Sequence, residues 1–268
     1  VLLTLVDWRV RVAALYEQVR ADPDPERGHA TWRQGRDELF RSHPQSPLPA
    51  RDPLRETGLP YWPYDPAWRF ELPLLPAPTD AWDPDERVVD GGGDGDVTML
   101  RTGQLALPSG STLDVWTLQQ YAGGIFVPLR DATSGRADGA ASYGAGRYLL
   151  DTAKGSWLGG GAGPRAADEH RGGAGPRAAD EHRGGAGPRA ADEHRGGAGP
   201  RATDGHGGGA GPRAADEHRG GADGSTVVLD LNFAYHPSCR YDDRWRCPLA
   251  SPGNTVADVV EAGERLPS

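Results

Sequence analysis

Two runs of the chain hold most of the side chains whose types and spacing could do chemistry. The first, PLRDATSG at 128–135, puts Arg130 and Asp131 at the end of an apolar stretch. SYGAGRYLLD at 142–151 follows, with Tyr143 and Arg147 on either side of Gly144 and Gly146. An arginine at a strand end can hold a carboxylate or phosphate through two parallel N–H donors, and glycines let backbone come close to a ligand. On this reading Arg130 and Arg147 bind an anionic group, Asp131 is a general base and Tyr143 a hydrogen-bond donor. The plainer reading pairs Arg130 with Asp131 to tie down a turn and leaves the glycines to make bends. Sequence alone keeps both.

The second run, LDLNFAYHPSCRYDDRWRCPLASPGN, spans 229–254. Strand alternation predicts Asp230, Asn232 and Ala234 on one face, with Leu229, Leu231, Phe233 and Tyr235 on the other. Asp230 is then a second candidate base, Tyr235 a second candidate donor and Asn232 a ligand-binding amide, unless that face is simply solvated. Cys239 and Cys247 bracket seven residues. They could be reduced structural thiols, a disulfide closing a short loop, or redox or metal-binding groups. His236 with Asp242 or Asp243 would complete a zinc set, but that is less than two ligand pairs at standard spacing, so no metal ligand is assigned. Gly144-Ala145-Gly146 lacks the third glycine of a nucleotide fingerprint. No nucleophile elbow, zinc-protease helix or phosphate loop is present, and no cofactor is indicated. The glycines at 91–95 read as a turn.

These residues need elements to position them. Trp8, Val12, Leu15 and Val19 form one helical stripe behind a capping Asp7, ended by Asp22-Pro23-Asp24-Pro25. A second helix over 27–41 carries Trp32, Leu39 and Phe40 and stops at His43-Pro44. Strands are expected at 68–75, 97–100, 113–118 and 124–129, with Pro128 at a strand end or edge. The β-branched and aromatic run from Val227 to Tyr235 reads as another, buried strand. The expected fold is α+β and mainly β: N-terminal helices packed on an antiparallel, partly rolled or barrel-like sheet. The chain reads as a single domain over 1–268. It has a helical region at 1–48, a β-rich core at 59–158 and 225–268, and an insert at 160–219.

That insert is a twelve-residue unit, GGAGPRAADEHR, that recurs in tandem, with one degraded copy reading GGAGPRATDGHG. An intact unit is electrically neutral, rich in glycine, and has no large apolar residue to bury. Burial therefore cannot offset the roughly 1–2 kcal/mol per residue that ordering a backbone costs, and the expectation is a disordered insertion in the turn of a hairpin. The 268 residues carry a formal charge of −9, which argues against a nucleic-acid surface. No apolar run reaches the ~18 residues of a membrane helix, and the apolar start at 1–6 is too short for a signal peptide. A cytoplasmic address is expected.

HPQSPL at 43–48, YWPYDP at 61–66, the two runs above and the terminal Ala262-Gly263-Glu264 resemble a widespread bacterial family catalogued as a domain of unknown function (1684). The resemblance spans the chain outside the repeat, and motifs this long are specific. It implies a signature at Arg130, Asp131, Tyr143, Arg147, Tyr148, Asp230, Asn232, Tyr235, Cys239, Cys247, Asn254 and Glu264, adding Asn254 and Glu264 to the ligand-binding candidates. The family shows Asn where this chain has His236, and a shorter segment before Tyr143. Two functions follow as expectations. One is a small-molecule-binding domain, with or without catalysis, acting on a polar or anionic metabolite through an Arg/Asp/Tyr pocket. The other is a structural or interaction module whose polar signature is an internal hydrogen-bond network. Ligand and oligomeric state are not specified.

Overall fold

Two helices come first, as the apolar spacing predicts, with one correction. In the computed structural model α1 (Leu2–Ala21) starts upstream of Asp7, because the apolar run before it continues the helix. Asp7 is therefore not a cap. Its carboxylate takes Arg11 Nε at 2.8 Å and His43 Nε2 at 3.0 Å. α2 (Pro25–Ser42) is capped by Asp24, whose Oδ1 accepts from the N–H groups of Glu26 and Arg27, with Pro25 in the first turn. Gly35 lets the helices meet closely: a Cβ there would lie 2.4 Å from Leu15 Cδ1. Val12, Leu15 and Tyr16 of α1 and Trp32, Leu39 and Phe40 of α2 share one buried cluster with Leu48, Leu59 and Tyr61. A short α3 (Leu54–Thr57) follows. The structure describes residues 2–78, 85–90, 95–119, 124–135, 141–150 and 226–267. The repeat at 160–219 and the 151–158 end of the expected core lie outside these.

Among the described residues seven strands follow: β1 (Arg69–Pro73), β2 (Glu86–Val89), β3 (Val97–Ala106), β4 (Thr112–Leu118), β5 (Ile125–Leu129), β6 (Arg147–Leu150) and β7 (Thr226–Asp230). They form two antiparallel sheets, β1-β7 and β2-β3-β4-β5-β6. The fold is thus mixed α and β. Among the described residues no barrel closes, since β2 and β6 end the larger sheet without pairing to each other. Gly103, at a bulge in β3, allows Leu75 to bridge to Gln104 in both directions at 2.9 Å. Pro128 sits inside β5 rather than at its end, paired to Tyr148 on the β6 side, where its missing N–H is not needed.

The expected hairpin is also corrected. β6 pairs with β5 and β7 with β1, so the strands flanking the insert belong to different sheets. Asp230 is the reason. Its Oδ1 accepts the Asn232 N–H at 3.0 Å and starts a 3-10 turn, Leu231–Phe233. The alternation expected from Leu229 to Tyr235 ends there, and Leu231, Asn232, Ala234 and Tyr235 are all buried. The turn redirects the chain onto the open edge of β6, where Tyr235 and Tyr148 exchange both backbone hydrogen bonds. No helix among the described residues is long and apolar enough to cross a membrane.

Candidate functional site

Arg147 opens β6 directly after Gly146, which holds φ +91° and would place a Cβ 2.5 Å from Leu129 O. Only glycine fits such a conformation without strain. This glycine brings backbone against backbone, not backbone against a ligand. The Arg147 side chain is fully buried. Nη2 donates to Asp131 Oδ1 at 3.2 Å and Val260 O at 3.0 Å, and Nη1 to the carbonyls of Ala262 and Glu264. Trp62 faces the guanidinium at 5.2 Å. Burial pulls Arg147 below its ordinary value, against Asp131, which raises it.

Asp131 is equally enclosed. It accepts from the Val260 N–H at 2.9 Å, from the N–H and hydroxyl of Thr133, and from Ser134 Oγ. Its charged partner is Arg147 rather than the neighbouring Arg130. Arg130 is exposed, and its Nε donates to Gly144 O at 3.0 Å. The two arginines expected to share an anion therefore point to separate partners.

The other candidates fall into three places. Asp230 and Asn232 hold the segment around Asp65: Asn232 accepts from Asp65 N and donates to Asp65 O, while Tyr64 donates to Asp230 at 3.3 Å. Burial pushes the Asp230 carboxyl up, against hydrogen bonds from Asn232 that lower it. Asn254 is fully buried, accepting from Trp116 Nε1 at 2.9 Å and donating to Asp114 O at 2.8 Å. Tyr143 lies near Cys239, where burial and then the thiol raise its hydroxyl above the usual value. Both cysteines are reduced thiols and half-buried. His236 accepts the Tyr143 N–H at Nε2 (3.2 Å), which leaves its proton on Nδ1, 3.3 Å from Glu264 Oε1. Among the described residues no group of three His, Cys, Asp or Glu could hold a metal.

Glu264 anchors the second charged centre. Gly263 (φ +78°) turns the chain inward there, with no room for a Cβ against Ala234 O. The Glu264 carboxylate accepts from Arg36 Nη2 at 2.9 Å, from the His236 N–H at 3.0 Å and from the Tyr241 hydroxyl. Burial pushes it up, but His236 and Arg36 outweigh that and hold it below the usual carboxylate value. Arg36 Nε also donates to the Tyr61 hydroxyl at 3.0 Å. The guanidinium lies over the rings of Tyr235, Phe40 and Trp32 at 4.7–5.1 Å. Burial alone would lower Arg36, yet Tyr61 and Glu264 raise it above its ordinary value.

Arg36 differs from Arg147 in having an open side. It lines a cavity of about 160 Å³ between the helices and the segment after β7, walled by Trp8, Val12, Leu15, Leu39 and Phe40, with Tyr235 and His236 beside it. A second cavity of about 190 Å³, bounded by Phe126, Tyr148 and Cys247, shares Tyr235 and Ser238 with the first. Of the residues expected from sequence, only Tyr235 lines both cavities, while Glu264 supports the first from behind. Sequence reasoning missed Arg36, Tyr61 and Tyr241. A signal for Arg36 was there: it stands four residues from both Trp32 and Phe40, a charge within an aromatic stripe.

A family model described as a protein of unknown function (DUF1684) matches residues 56–159 and 202–265. No curated protein matches the chain. Among solved structures, the solution NMR structure of an uncharacterised protein from gene locus rrnAC0354 of Haloarcula marismortui is similar. It is 24% identical, with 87% of this chain and 90% of that chain covered and a TM-score of 0.47.

Proposed function

The chain belongs to the DUF1684 family of proteins of unknown function, and from that premise we propose that it is a small-molecule-binding domain whose ligand occupies the cavity over Arg36. The observation that carries this is a buried guanidinium lining an apolar cavity. Nε and Nη2 donate to Tyr61 and Glu264. A guanidinium carries five N–H donors, so one that lines a cavity can offer a further donor to an incoming acceptor.

Size and charge narrow the ligand. A cavity near 150 Å³ takes a benzene-sized guest, whereas drug-sized ligands need about 300–1,000 Å³; nucleotides are too large. Arg36 and Glu264 already neutralise each other, so a buried carboxylate would add an uncompensated charge. The ligand is therefore a compact, mainly apolar ring or branched chain with one neutral acceptor, a carbonyl or hydroxyl. This places it away from Arg130 and Arg147 and makes it less anionic than the residue types suggested. Asp131 and Asp230 then serve the scaffold, with no catalytic step assigned to them.

A thermal-shift screen of small cyclic ketones, lactones and phenols tests the reading, with Val12→Phe filling the cavity as control. A ligand at one hundred times its Kd adds about 2.7 kcal/mol, or roughly 5–10 °C at this size. The expected result is a shift for neutral acceptors that Val12→Phe abolishes while remaining folded. Equal shifts in both proteins, or a response only to phosphate and dicarboxylates, would overturn it.

A further inference from the structure

Cys239 and Cys247 belong to neither charged centre, yet the fold delivers them to one another. Cys239 lies in a 3-10 turn, Ser238–Arg240. The N–H groups of Tyr241 and Asp242 both return to Ser238 O, and Trp245 N–H returns to Asp242 O. The chain thus reverses twice within 238–245. Cys247 comes back to line the second cavity beside Pro237 and Ser238, the residues that lead into Cys239. The following residue is held independently, since Tyr148 of β6 donates to Pro248 O. The two thiols are close enough to perturb each other, and Tyr143 acts on Cys239 as well. Both are half-buried, so solvent-borne reagents have access, as reactive thiols require.

We infer that Cys239 and Cys247 are a dithiol that closes to an intramolecular disulfide by exchange with a small-molecule disulfide. In the first step a thiolate attacks one sulfur of the reagent. The reagent's S–S bond breaks, a mixed disulfide forms, and one half leaves as a thiolate that takes up a proton. In the second step the other cysteine gives its proton to solvent and attacks the protein-bound sulfur. That forms the Cys239–Cys247 bond and expels the second half as thiol. Two protein thiols are oxidised and one disulfide is reduced to two thiols, so atoms and electrons balance. The neighbouring Cys247, and then burial, push the Cys239 thiol up. Closure ties nine residues into a ring and fixes Ser238, which lines both cavities. The inference does not rest on the ligand reading, since it concerns the wall and not the occupant.

The test is incubation of the full-length native protein with oxidised glutathione, followed by intact mass and non-reducing peptide mapping. Expected are the loss of two hydrogen atoms in mass, one peptide pair joined through Cys239 and Cys247, and a melting temperature raised by about 5–10 °C that dithiothreitol reverses. Cys239→Ser should instead accumulate a stable glutathione adduct on Cys247. Glutathione on both cysteines without a cross-link, disulfide-linked dimers, or two unmodified thiols would each overturn the inference. Native alkylation of the wild type before and after oxidation gives the same answer should the variant fail to fold.

Discussion

Arg147 and Arg36 are the same residue, buried to within a tenth of their surface, and they do opposite things. Arg147 ends in main-chain carbonyls and one carboxylate, with protein on every side. Arg36 ends in side chains and aromatic faces, with a cavity before it. Backbone acceptors cannot move without moving the chain, so Arg147 sets where residues 260–264 run. Side-chain acceptors can re-form around a guest. The comparison separates the two roles expected of the polar signature: an internal network around Arg147, and a candidate binding site around Arg36. What distinguishes the two arginines is the nature of their partners, since burial is common to both.

The largest effect should come from breaking the closed site. Arg147→Ala leaves Asp131 charged and buried without its partner, and such losses cost about 3–5 kcal/mol. Urea unfolding should show at least that fall. A loss under about 1 kcal/mol would end the contrast by making Arg147 dispensable to the fold.

His29 sharpens the comparison through pH, because it lies on α2 one turn before Trp32 and packs on Trp32 and Tyr61 beside Arg36. Burial, then Arg33, lower it from 6.5 to about 4. The unfolded chain binds the proton more readily, so His29 costs nothing above pH 6.5. Stability then falls as pH drops from 6.5 towards 4, by about 3 kcal/mol in all. His29→Gln should remove that part of the slope. An unchanged profile from pH 7 to 4 would show that His29 takes up its proton in the folded state.

The smallest effect is a coupling. Arg36→Met with Glu264→Gln should cost less than the two single changes added, by roughly 1–3 kcal/mol, since each single change strands the other partner. A double-mutant cycle by denaturant midpoint reads it. Simple additivity would mean that Arg36 and Glu264 are held separately.

Much of the fold is legible because local chemistry decides it. Prolines and the capping Asp24 set helix ends near 22–25 and 43, while apolar residues alternate in β1, β3 and β4 and run unbroken through β5. β2 (ERVV) escapes because four residues carry no usable period. The β7 partner escapes because one side chain, Asp230, turns the chain out of its own strand. At the site, residue type survives translation into structure and direction does not. The sequence names Arg147 and Asp131 as polar partners of something, but cannot show that Arg147 reaches residues more than a hundred positions away. Arg36 went unread because a charge within an apolar stripe looks like a flaw in the stripe until Glu264 is seen beneath it.

The Arg36–Glu264 pair spans 228 positions in the chain. At roughly 5–20 residues per second of synthesis, Arg36 is made about 10–45 s before its counter-charge exists. Throughout that interval the aromatic stripe around Arg36 has its cation and no anion to accompany it inward. The helices can form, but closing their shared core before then would bury a guanidinium without its carboxylate, which is costly. The final packing of α2 thus depends on a residue synthesised 228 positions later.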